Sequence, residues 1–398
     1  MTDADPTATQ PRKAGVLAAG LADVERPFEP GLAAHYREMV AYRPAYIVGY
    51  APGWRFRTFN EAGIRFLLAP RSLPLALRIP VFALWLVVIA LGLSVTRRVS
   101  VFNAQSPYEG LLMWAVRGLL NLTGARIALA VNIHGFLGDV APMVHASLRY
   151  TRWLWIGPTE WVIPRADAVR VLSPQTGAYA KAKGARNIIT SPTWSDWELF
   201  IAGSTELPPG PIDPYRLAFA GALTHVKGVD ILIATLAALR SRGHNVVLTI
   251  AGDGPGRDEY QALATQAGVA DAIEWAGLVD RRRVKEILDA CYAFVFASRS
   301  EGLARVLIEA GACYRPVVAT RVGGIVDAVE DGVTGILVPS EDVGALTDAV
   351  ESMILDRELA ARYGSAGHEI AVTRYSSAEW MAAYKELLET AEAQRAKR

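Results

Sequence analysis

The sequence predicts two α/β domains in tandem, each a doubly wound parallel sheet, facing one another across a cleft. Three observations carry that expectation. The chain has 398 residues, long for one domain and comfortable for two. Short apolar runs without polar alternation recur between helix-patterned stretches, as parallel strands covered on both faces require. A Pro- and Gly-rich break, GSTELPPGPIDP at residues 203–214, separates two series of such runs.

Taken in order, the first domain (residues 1–202) has apolar runs at 14–19, 46–50, 65–68, 99–103, 127–132, 168–172 and 187–190. Helical stretches at 32–41 and 108–122 fall between them. After the linker, residues 215–374 repeat the scheme with strands at 217–220, 246–251, 272–275, 293–297, 317–319 and 335–338, then a helix at 342–354. The last segment, 375–398, reads as a helix over 378–394. Its apolar stripe of Trp380, Met381 and Tyr384 needs cover, so it is expected to cross back onto the first domain. Sheets of this kind bind ligands beyond the carboxyl ends of their strands.

Bulk composition excludes several classes. The formal net charge is +1, so no basic field points to nucleic acid. The two cysteines, Cys291 and Cys313, have no metal-ligand spacing and form no disulfide framework, which fits a reducing, cytoplasmic compartment. The polar start at residues 1–13, followed by a glycine-containing apolar piece without cleavage context, does not read as a secretory signal.

The densest chemistry lies in residues 298–339, SRSEGLARVLIEAGACYRPVVATRVGGIVDAVEDGVTGILVP. Glu301 and Gly302 form a turn after an apolar strand. Glycine there lets backbone approach a ligand, and the amides of Leu303, Ala304 and Arg305 at the helix start favour phosphate or sugar oxygens. Seven residues lie between Glu301 and Glu309, about two helical turns, so both carboxylates are expected on one helix face. One would hold a transferred sugar and the other a ribose. Paired glutamates on a helix are more often simply solvated, but Glu309 lies among Val306, Leu307, Ile308 and Ala310, where a carboxylate needs partners. Upstream, Gly221 to Gly228 (GALTHVKG) places Lys227 as a compact positive charge after a strand. The turn Gly252-Asp253-Gly254-Pro255 is a strand-to-helix connection.

Segment 298–339 resembles the signature of the retaining glycosyltransferases of family 4, commonly written E-G-[FL]-[GP]-x-x-x-x-E-A-M-A-x-G-x-P-V-V-A. It matches at Glu301, Gly302, Leu303, Glu309, Ala310, Ala312, Pro316, Val317, Val318 and Ala319, and departs at Ala304, Gly311 and Tyr314. Residues 221–228 are similar to the family's G-R-L-x-x-x-K-G, with Ala222 in place of the arginine; His225 or Arg305 could supply the missing charge. The resemblance is specific over residues 215–339 and weaker before residue 200. It implies the two-domain GT-B fold and transfer from a nucleoside-diphosphate sugar with retention of configuration. No cofactor and no metal are expected, and no Asp-x-Asp motif occurs. Donor-binding residues would be Gly31, Lys227, Glu301, Gly302, Leu303, Ala304, Arg305 and Glu309. His134, which ends a strand before a glycine, and Glu301 would be catalytic. The turn at 275–279 would lie near the nucleobase. Tyr108, Glu109 and Asp139 are acceptor candidates. A nucleotide-sugar epimerase of the same architecture and a catalytically silent sugar-binding scaffold remain the alternatives.

Residues 79–95 are apolar and uncharged between Arg78 and Arg97-Arg98. Such a stretch spans ~26 Å as a helix, just short of a ~30 Å bilayer core. It reads as a buried domain helix, as a helix sunk in a membrane surface, or as a span. Residues 149–155 with Trp161 mix arginines and aromatics, as membrane-interface segments do. The expectation is peripheral contact with the inner face of the cytoplasmic membrane and a glycan or lipid-linked acceptor.

Overall fold

Runs that lack polar alternation become strands buried on both faces. The computed structural model describes residues 14–24, 28, 30–134, 157, 160–191, 194–207, 212–302 and 304–398, and these fall into two units. The first unit takes in Met1–Leu172, Thr176–Ser191 and Met381–Arg398; the second is Ser173–Gln175 with Pro192–Trp380.

The strands of the first unit are β1 (Gly15–Asp23), β2 (Ala45–Ala51), β3 (Arg57–Glu61), β4 (Ile64–Pro70), β5 (Val99–Ala104), β6 (Ala128–Ile133), β7 (Ala168–Val171) and β8 (Ile188–Thr190). Among the described residues they form one sheet in the order β3-β4-β2-β1-β5-β6-β7-β8. Every pairing in it is parallel except β3 with β4. The sequence reading left β3 out, because its RTFNE is short, polar and largely exposed. Its hairpin turn is nonetheless encoded, since Ala62 and Gly63 both take positive φ, +49° and +81°, as a tight primed turn requires.

The core of this sheet gathers Leu17, Phe102, Leu129 and Val131 against Phe82, Leu86 and Met113. The helix Leu75–Val95 contributes Phe82, Leu86, Ala90 and Ser94, every fourth residue, to the buried side. Its Trp85 indole donates to the Leu67 carbonyl at 3.1 Å. A fully buried helix was one of the three sequence readings; here only one face is covered, and Leu77, Leu84, Val88 and Val95 are exposed.

The C-terminal helix Ser377–Ala396 brings Met381, Tyr384, Leu387, Leu388 and Ala391 into burial. Within the first unit, Arg43 donates twice to Glu392, at 2.7 Å each, and Ser100 donates to the same carboxylate at 2.6 Å. Tyr42 donates to Glu389 at 2.7 Å. At the far end Arg398 lies 3.3 Å from the fully buried Asp167, which also takes Arg117 at 2.6 Å.

In the second unit, β9 (Tyr215–Ala220), β10 (Val246–Ala251), β11 (Ile273–Gly277), β12 (Ala293–Phe296), β13 (Val317–Thr320) and β14 (Gly335–Val338) run parallel in the order β11-β10-β9-β12-β13-β14. The core stacks Phe219 on Phe296 at 5.7 Å. Trp197 and Phe200 are buried in this second core, which is why the division falls before residue 192 and not at 203–214. Arg315 donates to the Thr205 carbonyl at 2.8 Å, tying that stretch to the same unit.

Candidate functional site

The second sheet winds outward from β9 in one direction and from β12 in the other, so the loops after these two adjacent strands leave a crevice at their carboxyl ends. This is the switch point where ligands of open α/β sheets bind. Those two loops carry Lys227 and Glu301. Their side chains form an ion pair with each other, both partly buried. Lys227 also lies 5.3 Å from the centre of the Phe296 ring.

Two glycines make the loops fit. Gly228 has φ +64°, and a Cβ there would stand 2.0 Å from the Ala297 carbonyl oxygen. Gly323 has φ +48°, and its Cβ would meet the Glu301 carbonyl oxygen at 1.9 Å; the Gly324 amide donates to that same oxygen at 3.0 Å. Only glycine permits such contact.

Arg299 closes the arrangement. Its amide donates to the Val226 carbonyl at 2.8 Å, and its guanidinium donates to the His225 carbonyl at 2.6 Å. The same guanidinium binds both oxygens of Asp230 at 2.9 and 2.7 Å and pairs with Glu341. The hydrogen bonds to Asp230 raise the Arg299 pKa further above its ordinary value. Burial pushes the Asp230 carboxyl up, but the Arg299 hydrogen bonds and charge outweigh it and hold that group below the usual range. Sequence reasoning missed Arg299, because its partners are far along the chain.

Glu309 is buried in the helix Arg305–Ala312. It accepts from the Ser195 hydroxyl at 3.1 Å and pairs with Arg281 at 3.3 Å, while Arg281 donates to Ser195 at 2.8 Å. The buried carboxylate thus has the partners its apolar neighbours demanded. The expectation that Glu301 and Glu309 share a helix face is corrected: the helix begins at Arg305, Glu301 lies in the loop ahead of it, and the two carboxylates have different cationic partners. Gly302 is half-buried in that loop, Ala304 is the buried cap residue and Arg305 is exposed in the first turn. Ala304 supplies no side-chain cap, and Leu303 lies outside the described residues.

The motif departures have local explanations. Tyr314 has φ +59° just past the helix end, the position where glycine is usual. Its ring stacks on His368 at 3.7 Å, and His368 bonds the Ala312 carbonyl oxygen at 2.7 Å. Tyr314 therefore serves helix termination. Ala222 is exposed in the loop after β9. In the turn after β11, Gly277 has φ +70° and Leu278 is 85% exposed.

In the first unit the winding reverses between β1 and β5. The loops after them carry Gly31, the second residue of the helix Pro30–Tyr42, and Tyr108, half-buried at the start of the helix Pro107–Asn121. Glu109 is corrected. It is 2% exposed and takes the Ser106 hydroxyl, whose oxygen accepts from the Tyr108 amide at 3.2 Å. This is a capping arrangement, legible in the spacing Ser106-x-x-Glu109, in a buried setting that does not present the carboxylate to solvent.

His134 directly follows β6. Beneath it runs a buried polar ladder: Asn132 donates to Asn103 and to the Ala104 carbonyl, both at 2.7 Å, and Arg170 donates to Asn132 at 3.3 Å. His134 is an exposed residue, but crowding by surrounding atoms and then the Arg170 charge lower its pKa to about 4, against a smaller upward effect of the Gln105 backbone. The imidazole is neutral at pH 7. Asp139, and residues 149–155, lie outside the described residues.

Comparison with known proteins agrees with this geometry. Residues 209–370 match the family model of glycosyl transferases group 1. The chain is 32% identical over 158 residues to the alpha-D-kanosaminyltransferase of Streptomyces kanamyceticus, covering 40% of this chain and 41% of that protein. It is 35% identical over 156 residues to the GDP-mannose-dependent alpha-(1-6)-phosphatidylinositol monomannoside mannosyltransferase of Mycolicibacterium smegmatis, covering 37% and 41%. These matches thus span less than half the length of either relative. Among solved structures, the sucrose-phosphate synthase of Thermosynechococcus elongatus superposes with TM-score 0.76 at 19% identity, over 97% of this chain and 100% of that one. Anabaena HepE in complex with UDP and glucose gives 0.68 at 19% identity, over 94% and 99%. The fold is GT-B. Within it, residues 209–370 are similar to the group 1 glycosyl transferases.

Proposed function

We propose that the protein moves a sugar from a nucleoside-diphosphate sugar to an acceptor hydroxyl, with retention of the anomeric configuration and without a divalent metal. The observation that carries this reading is the Lys227–Glu301 pair at the switch point of the second sheet. A cation and a carboxylate held side by side there match a donor with a diphosphate at one end and a hydroxyl-rich sugar at the other.

On binding, Lys227 exchanges its carboxylate for the diphosphate, and the first-turn amides of the helix Arg305–Ala312 meet the remaining phosphate oxygens. Glu301 accepts from sugar hydroxyls, and Glu309 accepts from the ribose. The bond from the anomeric carbon to the leaving phosphate oxygen breaks as the bond to the acceptor oxygen forms on the same face. The acceptor proton passes to that phosphate oxygen. Preorganised positive charge at the leaving group supplies the stabilisation a metal otherwise gives.

The donor class is supported by the GDP-mannose dependence in the name of one relative and by the UDP and glucose in the HepE complex. A lipid-linked or membrane-embedded acceptor on a cytoplasmic membrane face is favoured by the exposed apolar helix Leu75–Val95. Release of nucleoside diphosphate from candidate donors, with and without lipid extract, tests the reading. Turnover is expected to survive EDTA. Activity abolished by chelation and restored by magnesium or manganese would overturn the metal-free charge scheme. Binding without release would favour a silent scaffold.

A further inference from the structure

The helix Leu75–Val95 has an unusual division of surface. Its window Leu77–Val95 has a mean hydropathy of 2.2, yet only 22% of it is buried. Leu77, Leu84, Val88 and Val95 recur at intervals of seven, four and seven, which places them on one stripe, and all four are more than half exposed. Trp54 and Phe56, in the loop after β2, are also exposed, and the Phe56 ring packs 4.6 Å from Trp85 on the helix. The opposite face is fixed in the core by Phe82, Leu86 and Ala90, and Trp85 is bonded to β4. Spanning a bilayer would strip the helix from the sheet, so this apolar face can meet lipid only side-on.

Charge decides what covers it. From residue 54 to 98 the chain carries Arg55, Arg57, Arg65, Arg71, Arg78, Arg97 and Arg98 against a single carboxylate, Glu61. Arg55 and Arg57 flank the exposed aromatics, Arg78 lies in the first turns of the helix, and Arg97-Arg98 follow its end. An apolar strip edged by cations of one sign matches a layer of acyl chains beneath anionic headgroups.

We propose that the outer face of the helix Leu75–Val95, with Trp54 and Phe56, seats in the interfacial layer of an anionic lipid bilayer, the flanking arginines meeting the headgroups. The inference rests on the membrane-facing part of the function proposed above and is independent of the sugar chemistry.

The full-length protein is tested by flotation with vesicles of phosphatidylcholine alone and of phosphatidylcholine mixed with phosphatidylglycerol. It should float with the anionic vesicles far more than with the neutral ones. Leu84→Glu combined with Val88→Glu should weaken binding to the anionic vesicles by on the order of tenfold or more. Arg97→Gln combined with Arg98→Gln should cost roughly thirtyfold on anionic vesicles, about fivefold per arginine, and little on neutral ones. A second readout uses Val88→Cys labelled with a polarity-sensitive fluorophore, selective because Cys291 and Cys313 are buried; its emission should shift to the blue on adding anionic vesicles. No flotation with anionic vesicles, or flotation unchanged in both paired variants, overturns the proposal. A concentration-dependent dimer in light scattering that Leu84→Glu with Val88→Glu abolishes would assign the face to a second copy of the chain and also overturn it. Nucleoside diphosphate affinity, measured in the same variants, should not move. Its absence in the unaltered protein would defeat the sugar-transfer reading while leaving the membrane surface standing.

Discussion

Both units wind helices around a largely parallel sheet, and both reverse their winding once, yet they place different chemistry at the reversal. In the second unit the two loops are charged and locked together: Lys227 with Glu301, and Arg299 with Asp230, Glu341 and the His225 carbonyl. In the first, the corresponding loops present Gly31 and Tyr108, and the nearby strand ends carry the Asn103–Asn132 ladder with its buried Arg170 and an uncharged His134. The difference teaches that topology decides where a ligand can sit and side chains decide which one. A lysine that can trade its carboxylate partner for a phosphate suits a polyanion. Neutral hydrogen-bonding groups suit polyhydroxyl compounds, for which a charge would carry a desolvation penalty.

The largest effect expected from this contrast is at Lys227. Lys227→Ala should lower kcat/KM for the donor by about 100- to 1000-fold, the scale for losing one preorganised charge contact to a leaving group. Steady-state kinetics with a responsive donor checks this. A loss smaller than about tenfold would remove Lys227 from the leaving-group contact and with it the assigned contrast between the two units.

Acid should distinguish the units next. Burial lowers His35 to about 4, against about 6.5 in the unfolded chain. Between those values the unfolded state binds the proton and the folded state does not, so stability falls as pH drops through that window. The loss at about pH 5 is roughly 2 kcal/mol. The second unit's Asp230 is held low and keeps its charge in the same window. Thermal unfolding at about pH 7 and about pH 5 should show the first unit loosening first; His134 is held low in the same window, so His35→Leu should lessen that dependence without abolishing it. Equal acid sensitivity in the variant would assign the loss elsewhere.

A smaller effect is expected from Arg299→Lys. Lysine keeps the charge but cannot grip both Asp230 oxygens and a carbonyl together. A loss of about tenfold in kcat/KM is expected, with a melting temperature lower by a few degrees. A lower melting temperature with unchanged kinetics would make Arg299 a tie between loops with no effect on Lys227 and Glu301.

What the sequence made legible follows from the range of the interactions. Most of the parallel strands were readable because burial on both faces leaves an apolar run in them; the edge strands β8 and β11 are only partly covered. Lys227 and Glu301 stood out in the sequence because their loops are short, glycine-bound and adjacent to strands, and Glu309 because it is a carboxylate among apolar helix residues. Strand β3 was not, being a polar edge whose pairing depends on β4 and on a two-residue turn with positive φ. Glu109 is buried against Ser106, three residues back, in a spacing that encodes a helix cap. Ser195 and Arg281, the partners of Glu309, sit 114 and 28 residues away in the chain, beyond any local pattern. The helix at residues 79–95 is legible as apolar from sequence, but which half of it is covered depends on the sheet beneath.

The central claim is that the second unit's loops bind a nucleoside diphosphate. Calorimetric titration of the full-length protein with UDP and with GDP, alongside Glu309→Ala, tests it most directly. The account predicts binding of at least one nucleotide, weakened about ten- to hundredfold in Glu309→Ala, the cost of roughly 1.5–3 kcal/mol for losing a hydrogen bond to a charged group. Circular dichroism should show the variant folded. No heat with either nucleotide, or an affinity unchanged by Glu309→Ala, would contradict it.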